Sequence, residues 1–274
     1  MIQSSRISRG LANLVLSLVM VVLIAPMLLI INVSLKNKEE FLNFPVTIVK
    51  SIHWRNFHDA WVMADMGVYF KNSILLTVLS AGGTCLIATL AAYPIARKHF
   101  VGANAIYLLF LSALFLPVGL VPLLFVMKSL GFINTYYGFI FLKIGGSLSI
   151  ATFILVGFIK GVPKELDEAA AIDGCGYLRF IMTIMFPLIL PAASTVLMLV
   201  GMGVWNDFIG PLIFLTDKSM RPLTAGLYIF FGQYSTNWTI LAAAVIMVSL
   251  PLIVAYVFLQ RFIVSGVTSG AIKG

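Results

Sequence analysis

Six long apolar stretches dominate the sequence and restrict the folds that it can adopt. Each has about 20 mostly apolar residues, the length at which an α-helix crosses the hydrocarbon core of a bilayer. They are Leu11 to Ile31, Tyr69 to Tyr93, Ala105 to Met127, Phe139 to Ile159, Thr183 to Val204, and Ile240 to Leu259. Because 61% of the residues are hydrophobic and only 10% are charged, the chain cannot cover a water-facing surface. We predict an all-α membrane protein with six transmembrane helices.

The chain is predicted to form a single membrane domain over residues 1–274, because no polar segment is long enough to fold alone. The third apolar stretch contains Pro117, Gly119 and Pro122. Proline inside a helix removes a backbone hydrogen bond and bends it, so this span is expected to be kinked or interrupted. Helix packing and a solute path explain such a break equally well.

The basic residues indicate the orientation of the helices. With six spans, one side receives Arg6, Arg9, Arg97, Lys98, Lys160, Lys164, Arg179, Arg261 and Lys273. By the positive-inside rule this side is cytoplasmic, which places both termini there. The opposite side has Lys36, Lys38, Lys50 and Arg55, mixed with Glu39, Glu40, Asp59 and Asp65 in one longer segment. The net charge of +8 is thus explained by the membrane, and no nucleic-acid partner is expected.

A polar loop, residues 161–183, interrupts the apolar pattern between the fourth and fifth spans. Pro163 suits the first turn of a helix, and Glu165, Asp167 and Glu168 favour its positive end. Gly174 supplies a left-handed stop. The loop is therefore predicted to contain a short helix from Pro163 to Asp173, followed by a sharp turn.

The composition of this short helix favours protein contact over lipid contact. Leu166, Ala169 and Ala170 recur at the spacing of one helix face, and the small alanines permit another surface to approach closely. An amphipathic helix lying on lipid is the alternative. It predicts a basic face, whereas this helix is rich in acids, which anionic lipid repels. The helix is interpreted as a docking surface.

A second polar cluster, Trp205, Asn206 and Asp207, ends the fifth span. A carboxylate in a membrane is costly and is by default a functional candidate, although tryptophan is also an ordinary interfacial anchor. The candidate solute-pathway residues are Asn72, Trp205, Asn206 and Asp207. Lys143, near the start of the fourth span, is expected to extend its ammonium toward the outer boundary.

Enzymatic motifs are absent from the sequence. It has no G-x-x-x-x-G-K-[ST] phosphate loop, no G-x-S-x-G elbow and no H-E-x-x-H helix. Cys85 and Cys175 fall at different depths and cannot pair. We expect no catalytic residue, metal site or bound cofactor in this chain. If ATP drives it, another chain binds the ATP and Mg²⁺.

Residues Glu168 to Gly174, followed by Ile184-Met-Phe-Pro187, resemble the EAA loop of ABC-importer permeases. In that loop EAA, a glycine four residues after the last alanine, and a later I-x-L-P occur in fixed register. Phe186 stands where the pattern has leucine. The resemblance to the carbohydrate-uptake, maltose-type inner-membrane subunits extends over nearly the whole chain. Its other stretches are Ser34 to Lys36, Asn72-Ser73, Pro122-Leu123, Leu130 to Thr135, Trp205-Asn206, Pro211-Leu212 and Gly266 to Gly274.

The resemblance implies an ABC importer type I fold in a bacterial or archaeal plasma membrane. It implies a second permease subunit, two copies of an ABC ATPase on the cytoplasmic side, and an extracytoplasmic sugar-binding protein facing the segment from Leu215 to Trp238. The C-terminal tail would also approach the ATPase pair. The residues that would couple to the ATPase, which include a coupling helix ended by Gly174, are Glu165, Asp167, Glu168, Ala169, Ala170, Asp173 and Gly174.

Alternative functions remain open on the sequence alone. An EAA loop identifies the motor and not the cargo, so a polyamine, peptide or amino-acid permease is one alternative. A secondary transporter driven by an ion gradient is another, but it would need buried acidic residues in mid-membrane, where the spans have only Asp207 near a helix end. A scaffold without transport is a third.

Overall fold

A computed structural model describes residues 6–116, 119–230 and 237–271. Within these ranges the regular structure is helical and no strand occurs, as the all-α prediction requires. The α-helices are α1 (Arg6–Ser34), α2 (Lys38–Asn43), α3 (Arg55–Met63), α4 (Met66–Arg97), α5 (Ala103–Ala113), α6 (Leu120–Ser129), α7 (Tyr136–Ile159), α8 (Glu165–Ile172), α9 (Tyr177–Phe180), α10 (Phe186–Leu188), α11 (Leu190–Trp205), α12 (Ile209–Phe214), α13 (Leu223–Gly226) and α14 (Trp238–Ala271). A π-helix, Ile181–Met185, joins α9 to α10, and 3₁₀ turns occupy Lys218–Met220 and Leu227–Phe230.

Four helices are long and apolar enough to cross a membrane by themselves. They are Ala12–Ser34 within α1, Met66–Arg97, Tyr136–Ile159, and Trp238–Phe258 within α14. A fifth span is formed if the bent pair Tyr177–Leu188 and Leu190–Trp205 is counted as one. The described residues thus place an unbroken helical span at four of the six predicted stretches and a bent helix pair at a fifth.

The predicted third span is divided into two shorter apolar helices, α5 and α6. The break that the proline and glycine pattern predicts is therefore present, with Gly119 capping the start of α6. Pro117 itself lies outside the described residues. Since neither helix alone is long enough to cross a bilayer, the count of six spans stays a prediction.

A sharp bend of 84° separates Tyr177–Leu188 from Leu190–Trp205. Pro187 and Pro191 lack the amide hydrogens that would continue the helical ladder here. The π-helical turn of residues 181–185 lies about one turn before the bend and shifts the hydrogen-bond register by one residue. Local chain chemistry thus explains why this span changes direction.

The chain divides into two compact units, of which the first comprises residues 1–66 and 227–250. The segment that follows α1, which is predicted to be outside, is held by buried polar groups at the end of α1. The Lys36 ammonium donates to the carbonyls of Phe44 (2.7 Å) and Pro45 (3.2 Å). The Asn56 amide donates to the carbonyls of Ser34 and Lys36, both at 2.7 Å. These bonds fix the segment that α2 and α3 occupy.

The second unit comprises residues 67–226 and 251–274 and contains the main apolar core. Small residues allow its helices to pack closely, which is the usual device in membranes. Ala88 and Ala92 of α4 and Ala193 of α11 are fully buried, beside larger side chains such as Leu155 and Ile159 of α7. This core holds the polar loop of residues 161–183 in place through Ala170 and Phe180.

Some expectations concern residues that lie partly outside the described ranges. Residues 231–236 belong to the segment predicted to face a binding protein, and residues 272–274 belong to the tail predicted to approach an ATPase. Both functions remain predictions.

Candidate functional site

The short helix of the polar loop is present as α8, Glu165–Ile172, within the predicted bounds. Its first turn carries Glu165, Asp167 and Glu168, which the partial positive charge of the helix start stabilises. Gly174 has a φ of +69°. The N–H of Gly174 bonds to the carbonyl of Ala171 (3.1 Å), and the N–H of Cys175 bonds to that of Ala170 (2.9 Å). This pair of bonds is a Schellman stop, which glycine accommodates without strain.

One face of α8 is open. Glu165, Glu168, Ala169 and Ile172 are exposed and follow each other at three- and four-residue spacing, so they form a single stripe. Ile172 is 87% exposed. The stripe therefore combines two carboxylates with a small residue and a large apolar one. These four residues are called the open face below.

The other predicted residues of the loop have different surroundings. Ala170 is only 5% exposed and packs into the apolar core of its unit, so it fixes the inner side of α8. Leu166 lies between the two faces, at 37% exposure. Asp173 and Gly174 are exposed at the turn that ends the helix.

Asp167 points inward and is paired within the chain. Its Oδ2 lies 2.6 Å from Nε of Arg97, the last residue of α4, and the two side chains are 18% and 3% exposed. The Tyr93 hydroxyl donates to the other carboxylate oxygen at 3.3 Å. Asp167 was predicted together with its neighbours as an ATPase-coupling residue, but its carboxylate is directed at α4 and away from the open face.

The second predicted cluster also contains an ion pair. Asp207 is paired with the Lys143 ammonium of α7, and its carboxylate accepts the Gly210 N–H at 3.0 Å. A Cβ at position 210 would collide with this carboxylate, so a larger residue there would displace the Asp207 side chain. The Lys143 ammonium, which was expected to extend toward the outer boundary, has Asp207 as its partner, and its direction relative to the membrane stays a prediction.

A cavity of about 840 Å³ adjoins this ion pair. Lys143 and Asp207 supply its charged groups, and most of the remaining lining is apolar or glycine. Phe132 and Phe141, which also line it, are stacked with ring centres 6.0 Å apart. A cavity with aromatic walls and few convergent polar groups has the usual character of a small-molecule site.

Trp205 and Asn206 do not join this arrangement. Trp205 is 5% exposed, packs edge-on against Phe70 with ring centres 6.4 Å apart, and lines a different, apolar cavity of about 400 Å³. Asn206 is exposed and caps the end of α11, where its N–H bonds to the Met202 carbonyl at 3.0 Å.

Asn72 fastens an extramembrane segment to α4. Its amide donates to the carbonyls of Ser219 (2.7 Å) and Arg221 (3.0 Å), and its oxygen accepts the Tyr136 hydroxyl at 2.9 Å. Both amide hydrogens are therefore used within the chain. The same segment is shaped by Asp217, whose pKa lies below its usual value because it accepts the Ser219 backbone N–H and hydroxyl.

Three important residues of these sites were missed by reasoning from the sequence. Arg97 was counted only among the basic residues of the cytoplasmic side, and Lys143 was not paired with Asp207. Both pairings join residues more than 60 positions apart, which no local pattern reveals. Ile172 could have been found, since it continues the spacing of Glu165 and Glu168 along one face.

Comparison with known proteins identifies the family. Residues 85–269 match the family of binding-protein-dependent transport system inner membrane components. The chain is 35% identical over 255 residues to a melibiose/raffinose/stachyose import permease of Bacillus subtilis, with 91% of each chain covered. It is 32% identical to a diacetylchitobiose uptake permease of Streptomyces coelicolor, with 98% and 91% covered. It is 33% identical to a trehalose/maltose transport permease of Thermococcus litoralis, with 94% of each covered.

The fold has a counterpart among solved structures. A bacterial ABC transporter involved in the import of the acidic polysaccharide alginate contains a chain that superposes with a TM-score of 0.86 at 18% identity. The match covers 95% of this chain and 99% of the other. At this identity the likeness concerns the fold alone. The matched residues 85–269 and the relatives of 32–35% identity show that this chain belongs to the family of inner membrane permeases of binding-protein-dependent ABC transporters, which are multi-pass transport proteins and not enzymes.

Proposed function

We propose that this chain is one of two permease subunits of an ATP-driven importer for a sugar or oligosaccharide. Membership of the family supports a function in import. The similar proteins named above are permeases for melibiose, raffinose, stachyose, diacetylchitobiose, trehalose and maltose. An extracytoplasmic binding protein delivers the sugar. A second, similar permease completes the path, and both termini of this chain lie in the cytoplasm.

The open face of α8 is the docking surface for an ABC ATPase in this proposal. The single observation that carries it is the exposure of Glu165, Glu168, Ala169 and Ile172 on a helix that the Schellman stop at Gly174 holds in shape. A soluble partner gains apolar contact from Ile172 and ion pairs from the two glutamates. Asp173, at the exposed turn, adds a third carboxylate to the rim. ATP and Mg²⁺ are bound by the ATPase.

The solute path is assigned to the cavity beside Lys143 and Asp207. Sugar hydroxyls bond readily to both charged groups, and the phenylalanine walls suit the apolar faces of a pyranose ring. Trp205 and Asn206 directly precede Asp207 in the chain, so in this proposal they act on the path through the position of Asp207 and not as lining residues. Asn72, whose amide is used within the chain, acts on the path only by holding the extramembrane segment.

Co-purification from the native membrane tests the docking proposal. We expect gently solubilised protein to retain an ATPase and a second permease, identified by mass spectrometry, and Glu168→Lys to lose the ATPase. Glu39→Lys is the control, since Glu39 is also exposed but lies on α2, in the segment predicted to be outside. Retention of the ATPase by Glu168→Lys, or its equal loss from both variants, contradicts the docking surface.

Uptake of radiolabelled substrates tests the cargo. Cells that produce the transporter are supplied with melibiose, raffinose, maltose and trehalose, and with spermidine and an oligopeptide. ATP-dependent uptake of a saccharide supports the proposal. Uptake of spermidine or peptide without any saccharide replaces it by the alternative of a non-sugar ABC permease.

A further inference from the structure

The last two turns of α4 hold the loop that contains α8. Residues of these turns contact the chain before α8, within α8 and after it. The contacts involve buried charge and hydrogen bonds as well as packing. They add to the stop at Gly174, which ends α8 through its own backbone bonds.

Arg97 provides the contacts before and within α8. Besides its ion pair with Asp167, its guanidinium donates to the carbonyls of Ile159 (3.3 Å), Val162 (3.0 Å) and Pro163 (3.4 Å). These carbonyls belong to the end of α7 and to the connection into α8. A single side chain, 3% exposed, therefore joins three helices.

Tyr93 provides the second attachment, one helical turn before Arg97. Its hydroxyl donates to Asp167 at 3.3 Å. Its ring packs against Phe180 and Tyr177, with ring centres 5.3 and 5.8 Å away. Tyr177, the first residue of α9, donates its hydroxyl to the Leu90 carbonyl at 2.9 Å. The chain after α8 is thus attached to the same part of α4.

Independent movement of α8 would break the buried Arg97–Asp167 pair. Separating such a pair leaves an uncompensated charge in a poorly solvated place, which is strongly unfavourable. By contrast, Lys164, which immediately precedes α8, is exposed. The geometry therefore favours α8 and the end of α4 moving as one body.

We propose that Arg97 and Asp167 form a clamp that transmits displacement of α8 to α4. Arg97 is a positioning residue in this mechanism, because it acts through Asp167 and not on the sugar or the ATPase. The proposal rests on the proposed docking of an ATPase at the open face. Its consequence is that the end of α4 moves with α8 when ATP closes the ATPase pair, together with the end of α7 that Arg97 also contacts.

Thiol accessibility in the complete transporter tests the transmission step. Ser147, which lines the cavity beside Lys143, is replaced by cysteine in a background where Cys85 and Cys175 are alanine. Its reaction rate with a methanethiosulfonate reagent is measured with and without MgATP and vanadate. We expect a clear ATP effect in the parent. In Arg97→Met and Asp167→Asn the effect should shrink at least about fivefold, the lower range of coupling between sites, while ATP hydrolysis persists.

Controls separate the clamp from general damage. Lys164→Gln removes a positive charge from the same loop and should leave the ATP effect intact. Arg97→Lys keeps the charge and should recover part of the effect. The double variant, Arg97→Met with Asp167→Asn, should be no worse than Arg97→Met alone, because both changes break one link. If Arg97→Met does not accumulate, Asp167→Asn and Tyr93→Phe decide the result.

A distance measurement tests the clamp without any partner. Spin labels at positions 172 on α8 and 86 on α4, both exposed in the structure, should give a narrow distance distribution in the isolated permease. Arg97→Met should broaden it, and Lys164→Gln should not.

The outcomes distinguish the two proposals. A parent that shows no ATP effect and no associated ATPase contradicts the docking proposal, while the distance distribution still decides whether the clamp exists. A parent with a clear ATP effect that Arg97→Met and Asp167→Asn retain in full overturns the clamp.

Discussion

Two ion pairs in the same helical unit differ in how their cations are held. Arg97 and Asp167 are 3% and 18% exposed, and the arginine has several carbonyl partners. Lys143 and Asp207 are 22% and 17% exposed and stand at the wall of a cavity. The planar guanidinium suits a fixed, multiply bonded junction, whereas a flexible ammonium can change partners. The first pair is suited to transmit movement, and the second is suited to exchange its partner for a solute.

The comparison predicts that the two pairs contribute unequally to stability. Arg97→Met should lower the free energy of unfolding by about 3 kcal/mol, because it removes both the counter-charge of Asp167 and the donor to several backbone carbonyls. Lys143→Met should cost about 1 kcal/mol, since Asp207 keeps the Gly210 N–H and borders a cavity that water can enter. Thermal unfolding in one detergent measures both variants. Equal losses of stability in the two variants would show that the two ion pairs do not differ in their contribution to folding.

The helix stop beside the first pair should have the next largest effect. Gly174→Ala forces a side chain into the left-handed region at φ +69°, which costs about 1–2 kcal/mol. Gly176→Ala is the matched control, because Gly176 has a φ of −70° and open space around its Cβ position. We expect hydrogen exchange of the α8 amides to quicken in the first variant only. Similar exchange in both variants would show that the Schellman stop does not hold α8.

Single hydroxyls around the first pair should contribute less. Tyr93→Phe removes the donor to Asp167 and should cost about 1 kcal/mol, the usual net value of one hydrogen bond. His99 also packs edge-on against this ring, with ring centres 5.1 Å apart, and that contact is retained in phenylalanine. The same detergent unfolding assay applies. If Tyr93→Phe lowers the free energy of unfolding as much as Arg97→Met does, the tyrosine and not the arginine is the main stabilising residue of this junction.

Filling the cavity beside the second pair should leave stability nearly unchanged. Gly146 lines the cavity and has open space at its Cβ position, so Gly146→Leu should alter the free energy of unfolding by less than about 0.5 kcal/mol. Uptake of the transported sugar should nevertheless fall, because the leucine occupies the path. Gly157→Leu, on the same helix with open space but outside that cavity, should transport normally. Normal uptake by both variants would exclude this cavity from the path.

The apolar stretches and the positions of proline and glycine predicted much of the fold. Five apolar stretches correspond to long or bent helices, the proline-rich third stretch to two short ones, and Gly174 to a helix stop. These features depend on residues that are close in sequence, so local rules suffice. The bend at residue 189 is also local, but a π-helical turn beside prolines has no simple pattern.

The candidate site was less predictable. The position and acidity of α8 followed from sequence, whereas the inward orientation of Asp167 did not, because it depends on where Arg97 of α4 lies. Likewise, Asp207 was a candidate because a carboxylate in a membrane is unfavourable. Its partner Lys143 and the adjoining cavity could not be predicted, because they depend on how α7 packs against α11. Long-range pairings of this kind are set by the core and not by the spacing of the residues themselves.

Cross-linking at Ile172 tests the docking surface most directly. A photoreactive amino acid is placed at position 172, which is 87% exposed on α8, and in parallel at Val46, which is 73% exposed in the segment predicted to be outside. After illumination of intact native membranes, the cross-linked chains are identified by mass spectrometry. We expect an ABC ATPase at position 172 and none at position 46. Absence of an ATPase at position 172, when a second permease is recovered with the chain, would contradict docking on the open face of α8.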